Sequence, residues 1–365
     1  MALTEADIRA ALSRVMDPEL GRSLTELNMV KSIEISGADV HVVIYLTIAA
    51  CPMRTTLVAN SEAAIREIPG VESVQVDTDV MSDEQRRAIR TQVHKEENPF
   101  IKPNSRTRVY AVASGKGGVG KSSVTANLGV LLAQRGLNVG IIDADIYGHS
   151  IPGMLASEDE PHAVDEMIMP PSAHGVKLIS IAQFTEGNSP VIWRGPMLHR
   201  ALSQFLTDVY WGELDILLLD LPPGTGDVAL SVAQLLPNAE ILVVTTPQAA
   251  AAEVAERAGA IAIKTHQKIA GVIENMGAMV LPDGSTMDVF GEGGGELVAN
   301  RLHNLTGGPV PLLGSIPLDP QLRIQGDAGV PISIAQPESP AAKAFGEIAD
   351  KLVVRRESLA GKQLL

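Results

Sequence analysis

The chain has 365 residues, enough for two domains, and its 29 Lys and Arg against 43 Asp and Glu give a net charge of −14. This acidic balance argues against electrostatic binding to nucleic acid or to an anionic membrane, so we expect neither as a partner. The only cysteine, Cys51, excludes an intramolecular disulfide and a metal site made only of cysteines from one chain, and the absence of a leader-like or long apolar segment predicts a cytoplasmic protein.

The first 80 residues predict a small α+β domain. Apolar residues at helical spacing follow the candidate N-cap Thr4, and Pro18 ends this helix. The order of the elements is then α-β-β-α-β, which places helices on one face of a sheet. The predicted helices cover residues 4–16 and 52–68, and the predicted strands cover residues 30–35, 40–48 and 71–76.

Residues 81–106 differ from the segments on either side. They are rich in charged residues, and the prolines at positions 99 and 103 disfavour a continuous helix. We predict a helical start followed by a linker between two domains.

The third predicted region, residues 107–365, alternates short apolar runs with helical patterns. This alternation predicts an α/β domain with a mostly parallel sheet, in which ligands bind beyond the carboxyl ends of the strands. The predicted strands cover residues 107–113, 138–142, 176–181, 215–220, 240–245 and 268–273.

A glycine-rich phosphate-binding loop (P-loop) follows the first of these strands. Gly115 is separated by four residues from Gly120, Lys121 and Ser122, and a helical pattern follows, as the motif requires. In such a loop backbone N–H groups cradle phosphates, the lysine reaches the β- and γ-oxygens, and the hydroxyl ligates Mg²⁺. The loop also contains a second lysine, Lys116. The predicted nucleotide-binding residues here are Gly115, Lys116, Gly117, Gly118, Val119, Gly120, Lys121, Ser122 and Ser123.

Carboxylates follow two other predicted strands. Asp143 and Asp145 are spaced so that one faces Mg²⁺ or its waters while the other faces the γ-phosphate, where Asp145 would position the attacking water. Asp220 ends an apolar strand as a further Mg²⁺ ligand, and Gly224 would bring its N–H to the γ-phosphate. The alternative is that these aspartates only cap loops or helices.

The nucleotide base is less directly specified. Asn275 follows the last predicted strand, where its amide would meet a base edge. No Lys-x-Asp of the kind found in guanine sites comes after it, so the sequence favours ATP over GTP.

The motifs at residues 114–122, 143–148, 220–227 and 290–295 together resemble the Mrp/ApbC family of iron-sulfur carrier ATPases over residues 107–350. That family belongs to the deviant Walker A ATPases, with MinD, ParA and the nitrogenase iron protein. The resemblance implies a homodimer in which Lys116 reaches the partner's nucleotide. It also implies iron-sulfur scaffolds or apoproteins as partners.

The first 80 residues resemble the small PaaD/SufT-like iron-sulfur assembly domain, through Asp17-Pro18-Glu19, residues 28–30 and residues 47–53. In that family the position of Cys51 is functional, which makes Cys51 a candidate iron-sulfur ligand. It precedes a predicted helix, whose dipole is expected to lower the thiol pKa and raise its reactivity. The alternative is a cysteine that serves as a small buried apolar residue.

The sequence departs from the carrier family at one place. Members that carry a shared [4Fe-4S] cluster have a Cys-x-x-Cys between the Glu-Asn segment and the glycine run, where this chain has residues 279–286 without cysteine. Two functions therefore remain open, and a third, a basic adaptor for nucleic acid or membrane, is disfavoured by the net charge of −14. The first is an ATPase that assists iron-sulfur cluster assembly or transfer, with clusters held through Cys51 or a partner's thiols. The second is a MinD/ParA-type, ATP-switched partner-binding protein without a metal role.

Overall fold

The computed structural model describes residues 3–353 except 50, 94–97, 103, 146–147, 149, 158, 185–194, 225 and 249–250. The chain forms two compact units. Unit 1 comprises Met1–Glu97, His162–Met169 and Thr207–Gly212, and unit 2 comprises Asn98–Pro161, Pro170–Leu206 and Glu213–Leu365. Across these described ranges no helix combines the length and the apolar character that a membrane span requires.

Helices and strands alternate along most of the chain. The strands are β1 (Val30–Ser36), β2 (Asp39–Leu46), β3 (Ser73–Val80), β4 (Arg108–Ala113), β5 (Val139–Asp143), β6 (His162–Val164), β7 (Met167–Met169), β8 (Ser172–Ala173), β9 (Val176–Ser180), β10 (Ile216–Asp220), β11 (Glu240–Thr245), β12 (Ile269–Gly277), β13 (Met279–Val280), β14 (Thr286–Met287) and β15 (Leu312–Pro317). The helices are α1 (Glu5–Leu12), α2 (Arg54–Arg66), α3 (Asp83–Val93), α4 (Lys121–Gln134), α5 (Ile151–Met154), α6 (Gly195–Thr207), α7 (Asp227–Leu235), α8 (Ala251–Thr265), α9 (Gly294–Thr306), α10 (Pro320–Asp327), α11 (Ile332–Ala335) and α12 (Pro340–Leu352).

Unit 1 contains a three-stranded sheet in the order β1-β2-β3. Strands β1 and β2 are antiparallel, whereas β2 and β3 are parallel because α2 connects them. Every second residue of β2 is buried, from Val40 to Leu46, so one face of the sheet forms the core with Leu57 of α2. Thr4 caps α1 through a capping box with Asp7, which confirms the predicted N-cap.

A segment far along the sequence completes the core of unit 1. Strands β6 and β7 form an antiparallel hairpin in which Val164, Met167 and Met169 are buried. These residues belong to the same apolar cluster as α1 and β2, and Tyr210 donates a hydrogen bond from its hydroxyl to the carbonyl of Leu20 at 2.7 Å. The region predicted as the α/β domain, residues 107–365, thus contributes two segments to unit 1, His162–Met169 and Thr207–Gly212. The boundaries predicted for the first domain and for the linker at residues 81–106 stay predictions.

Unit 2 is built on an eight-stranded sheet in the order β15-β12-β11-β4-β10-β5-β9-β8. All neighbours are parallel except β8, which pairs antiparallel with β9 at one edge. Every residue of β5 and β10 is buried, because helices cover both faces of a parallel sheet and leave no solvent-facing side. The predicted α/β class with a mostly parallel sheet and a small α+β domain is confirmed.

The order of the strands places the predicted site. Strand β10 lies between β4 and β5, although both precede it in sequence, so the P-loop after β4, Asp143 at the end of β5 and Asp220 at the end of β10 meet at one edge. The register aligns Asp220 with Asp143 on one side and with Val112 on the other. Parallel strands thereby bring residues from three segments together.

Candidate nucleotide site

The P-loop connects β4 to α4. Gly120 is the N-cap of α4 and has a φ of 78°, in the left-handed region that favours glycine. A Cβ at this position would lie 2.2 Å from Nδ2 of Asn275, so the loop also needs glycine for space. The first N–H groups of α4 have no partner within the helix, which makes this end of the helix suited to an anion.

Lys121 is buried and paired with carboxylates. Its Nζ lies 2.7 Å from Oδ2 of Asp220 and 3.5 Å from Oδ2 of Asp145, and only 6% of its side chain is exposed. The lysine at the centre of the phosphate-binding motif is thus held by two acids from neighbouring strand ends. A phosphate in the loop would compete with these acids for its charge.

Asp220 accepts hydrogen bonds from two hydroxyls as well. Ser122 donates to its Oδ2 at 2.5 Å, and Thr125 donates to its Oδ1 at 2.9 Å. Burial raises the pKa of Asp220, while Lys121 and the two hydroxyls oppose this rise. The sequence analysis missed Thr125, whose signal was its position four residues after Lys121, on the same face of α4.

Asp143 is fully buried beside Asp220. Burial, and then the charge of Asp220, raise the pKa of Asp143 to about 7. Its carboxylate accepts hydrogen bonds from the backbone N–H groups of Asp145 and Ile151 and from the hydroxyl of Ser180. Two adjacent buried carboxylates of this kind favour a cation between them.

The two segments that follow these acids are partly described. Asp145 is buried, and its Oδ1 accepts a hydrogen bond from the N–H of Gly148 at 3.1 Å. The N–H of Gly224 donates to the carbonyl of Ser114 at 2.9 Å, so in this structure it holds the start of the P-loop. Its predicted contact with a γ-phosphate requires that bond to open. Residues 146–147 and 225 of these motifs lie outside the described residues.

Asn275 and Glu274, at the end of β12, hydrogen-bond to the P-loop and to the start of α9. The amide nitrogen of Asn275 donates to the carbonyl of Val119 at 2.9 Å, and only 3% of the residue is exposed. In this structure Nδ2 of Asn275 is therefore occupied by the P-loop. The contact of Asn275 with a base edge stays a prediction. Glu274, which the sequence analysis did not select, accepts hydrogen bonds from the N–H of Gly295 and the hydroxyl of Ser315, both at 2.7 Å.

The second lysine of the loop is not directed at the phosphate cradle. Nζ of Lys116 donates to Oε1 of Gln248 at 2.7 Å, and Arg257 donates to the carbonyl of Gly115 at 2.8 Å. Gln248 follows β11 and Arg257 belongs to α8. Both were missed by the sequence analysis, because no local motif relates them to a loop more than 130 residues earlier.

Cys51 lies in unit 1, just before α2, and its environment contradicts the expected low thiol pKa. Burial raises the pKa of Cys51 from 9.0 to about 11, and the charges of Glu19 and Asp17 add to the rise. The N–H groups of Met53 and Arg54 at the start of α2 lower it, as a helix N-terminus should, but burial outweighs them. The expectation of a reactive thiolate was therefore wrong for the isolated chain.

The thiol of Cys51 has acidic and basic neighbours within unit 1. Its Sγ donates to Oε2 of Glu19 at 3.9 Å, and Oε1 of Glu19 lies 3.5 Å from Nε2 of His162. Burial lowers the pKa of His162. Within the described ranges, no three His, Cys, Asp or Glu side chains are placed so that they could hold a metal ion.

We expect Cys51 to react with iodoacetamide at neutral pH roughly 10-fold or more slowly than an ordinary cysteine. The raised pKa lowers the thiolate fraction by about 100-fold, and the greater nucleophilicity of a more basic thiolate restores only part of the rate. The rate is measured by mass spectrometry from pH 7 to 9 and should rise with pH throughout. The same chain unfolded in urea is the control, and equal rates in both states would contradict the burial of the thiol.

Residues 279–287, where the resemblance had led us to look for a Cys-x-x-Cys, form a small hairpin. Strands β13 and β14 pair antiparallel through Met279 with Met287 and Val280 with Thr286. The side chains of Val280 and Met287 are 44% and 49% exposed. The hairpin thus exposes apolar side chains and contains no cysteine.

Two family models match the chain. One is described as an NUBPL iron-transfer P-loop NTPase and covers residues 105–353, and the other is described as an iron-sulfur cluster assembly protein and covers residues 5–77. The first extends over the P-loop, Asp220 and Asn275. The second extends over Cys51.

Similar proteins span nearly the whole chain. The iron-sulfur cluster carrier protein of Mycobacterium tuberculosis H37Rv is 62% identical over 98% of this chain and 96% of that protein. The protein of the same name from Bacillus subtilis is 40% identical over 87% of this chain and 88% of that protein. Among solved structures, a nucleotide-binding protein from Archaeoglobus fulgidus in complex with ADP matches with a TM-score of 0.55 and 32% identity, over 72% of this chain and 97% of that chain.

Proposed function

The chain belongs to the family of NUBPL iron-transfer P-loop NTPases, and on this premise we propose that it is an Mg²⁺-dependent, homodimeric ATPase that assists iron-sulfur cluster assembly or transfer to apoproteins. The observation that carries the proposal is the convergence of Lys121, Ser122 and Asp220 at the end of the central strands. These three groups supply the cation, the hydroxyl and the carboxylate that phosphoryl transfer requires.

In the proposed complex the triphosphate lies on the backbone N–H groups of residues 115–122 at the start of α4. Lys121 exchanges its bond with Asp220 for one with the β- and γ-phosphates, which replaces one buried charge pair by another. Adenine is the proposed base, near Asn275.

The donor set fits Mg²⁺. Ser122, Asp220 and Asp143 offer hard oxygen atoms, and Oγ of Ser122 already lies 2.5 Å from Oδ2 of Asp220. When bound, Mg²⁺ neutralises charge on the phosphate oxygens. The carboxylate of Asp143 would contact the ion or its bound waters. A bound Mg²⁺ would favour the ionised form of Asp143, whose pKa burial raises to about 7.

Hydrolysis needs a positioned water and further positive charge. We assign the water to Asp145, which lies beside Lys121 and whose carboxylate is oriented by the N–H of Gly148. We assign the further charge to Lys116 of a second subunit, which would act as an arginine finger does in other P-loop NTPases. The active form is therefore a nucleotide-linked homodimer.

The iron-sulfur part of the proposal rests on the relatives and on unit 1. The similar proteins from M. tuberculosis and B. subtilis are named iron-sulfur cluster carrier proteins, and residues 5–77 match an assembly-protein model. Since residues 279–286 contain no cysteine, a cluster handled as cargo would be bound through Cys51 or through a partner's thiols. The protein would then act on scaffolds and apoproteins, without nucleic acid or membrane.

A second candidate function is an ATP-switched partner-binding protein of the MinD/ParA type without a metal role. The hairpin of β13 and β14 favours this alternative, because it exposes Val280 and Met287 instead of thiolates. In that case ATP would control only which partner binds.

Anaerobic reconstitution separates the two functions. Wild type and Cys51→Ser are incubated with iron and sulfide, desalted, and analysed for iron, sulfide and charge-transfer absorption. A stoichiometric cluster in the wild type that is lost in the variant would support the iron-sulfur function and binding through Cys51, since thiolate is the ligand that iron-sulfur clusters require. Both proteins are also incubated with iron and sulfide in the presence of a thiol-bearing scaffold protein. Iron in neither preparation, with or without the scaffold, would favour the partner-binding function, and ATP turnover measured in parallel tests the ATPase independently.

A further inference from the structure

Lys116, the lysine assigned to the partner's nucleotide, is bound within its own subunit. Its Nζ donates to Oε1 of Gln248 at 2.7 Å, and both side chains are partly buried. A lysine in this position cannot reach a second subunit unless the bond opens. Gln248 thus competes directly with the proposed role of Lys116.

The elements after β11 hold the P-loop at a second point. Arg257 of α8 donates to the carbonyl of Gly115 at 2.8 Å, one residue before Lys116. Within the loop the hydroxyl of Ser114 donates to the carbonyl of Lys116 at 3.0 Å. The backbone around Lys116 is therefore fixed, and the side chain can change partner while the loop keeps its shape.

The segment that carries Gln248 rests against the glycine run at the start of α9. A Cβ on Gly294 would lie 2.4 Å from the carbonyl oxygen of Thr246 and 2.6 Å from the carbonyl carbon of Pro247, so only glycine permits this contact. The next residue, Gly295, donates its N–H to Glu274 at 2.7 Å. The position of Gln248 is thereby coupled to α9 and β12.

The same segment begins with an unfavourable polar group. Oγ1 of Thr245, the last residue of β11, is buried and has no hydrogen-bond partner among the residues that the structure describes. An unpaired buried hydroxyl costs free energy, and a rearrangement of the segment that pairs it would recover this cost.

We propose that Gln248 is a positioning residue for Lys116: it holds the lysine in its own nucleotide-free subunit and releases it to the partner's nucleotide when the dimer forms. This inference rests on the proposed homodimeric ATPase. Gln248 does not touch the nucleotide in this scheme, and its whole effect passes through Lys116. The bond then adds to the free energy that ATP must supply for dimerisation.

The bond itself is tested in the nucleotide-free protein by amine labelling. Lys116 is acetylated with a small reagent, and the rate is read from its peptide by mass spectrometry. Gln248→Ala should raise the rate roughly 2- to 10-fold, because one hydrogen bond is lost, and Gln248→Glu should lower it, because a carboxylate binds an ammonium more strongly. Gln336→Ala, which removes a glutamine that bonds to Gln321 instead, is the control and should change nothing. Equal labelling in all four proteins would overturn the proposal whether or not the protein is an ATPase.

The effect of Gln248 on dimerisation is tested by sedimentation. The measured quantity is the ATP concentration that gives half-maximal dimer, compared for wild type, Gln248→Ala and Gln248→Glu. The alanine variant should need roughly 2- to 10-fold less ATP and the glutamate variant more, with opposite signs that a simple loss of folding would not produce. In a Lys116→Ala background both substitutions should have no effect. Effects that persist without Lys116 would overturn the positioning role. Absence of any ATP-dependent dimer in the wild type would instead overturn the proposed function, together with the inference that rests on it.

Discussion

Lys116→Ala is expected to lower the rate of ATP hydrolysis by about 10³-fold or more while ATP binding remains measurable. The proposed phosphate cradle is unaffected, because we assign it to Lys121 and the backbone of the loop, whereas Lys116 is bound to Gln248. Phosphate release and the equilibrium binding of a fluorescent ATP analogue measure the two effects separately.

A matched control is available on the surface of the same unit. Lys343 forms an exposed ion pair with Glu338 at 3.2 Å, and Lys343→Ala should leave both hydrolysis and binding unchanged. Unchanged turnover in Lys116→Ala would refute the assignment of this lysine to catalysis. A parallel loss of binding would instead place Lys116 in its own subunit's phosphate cradle.

Asp220→Ala is expected to lower the free energy of unfolding of unit 2 by about 3–5 kcal/mol. The substitution removes the nearest acid from a buried lysine, since Nζ of Lys121 lies 2.7 Å from Oδ2 of Asp220, and it leaves the hydroxyls of Ser122 and Thr125 without their acceptor. Urea denaturation followed by circular dichroism measures the change. Binding of Mg²⁺ with nucleotide should be lost in the same variant.

The control for this prediction is an exposed ion pair in the same unit. Asp350 lies 3.0 Å from Arg135 with 73% of its side chain exposed, so Asp350→Ala should cost no more than about 0.5 kcal/mol. Equal stability of the two variants would show that the buried pair of Lys121 and Asp220 contributes no more than a surface contact, which would contradict this prediction.

The sequence predicts the central strands of unit 2 because they are buried on both faces. Strand β10 reads Ile-Leu-Leu-Leu-Asp, a continuous apolar run that needs no partner to be recognised. Strand β15 was missed, since Leu-Leu-Gly-Ser-Ile-Pro contains a glycine, a serine and a proline and is only partly buried at the edge of the sheet. Short hairpins such as β13–β14 carry too few residues for any periodicity.

The candidate site divides in the same way. Glycines, Lys121 and the three aspartates form local motifs, so they could be selected from the sequence, and the fold brings Lys121, Asp145 and Asp220 together. Gln248 belongs to no motif and acquires its contact only through the pairing of β11 with β4. Cys51 shows the opposite failure: its position before a helix was read correctly, but the sequence does not show how deeply the thiol is buried.

Because the hairpin of β6 and β7 belongs to unit 1, the two units are not consecutive stretches of the chain. A fragment that comprises only residues 98–365 would keep His162–Met169 and Thr207–Gly212 but would lose the apolar core of unit 1 into which they pack. Val164, Met167 and Met169 would then face water and promote self-association of the truncated chain. The proposed roles of the two units are therefore better separated by point substitutions in the full chain than by cutting the chain between residues 97 and 98.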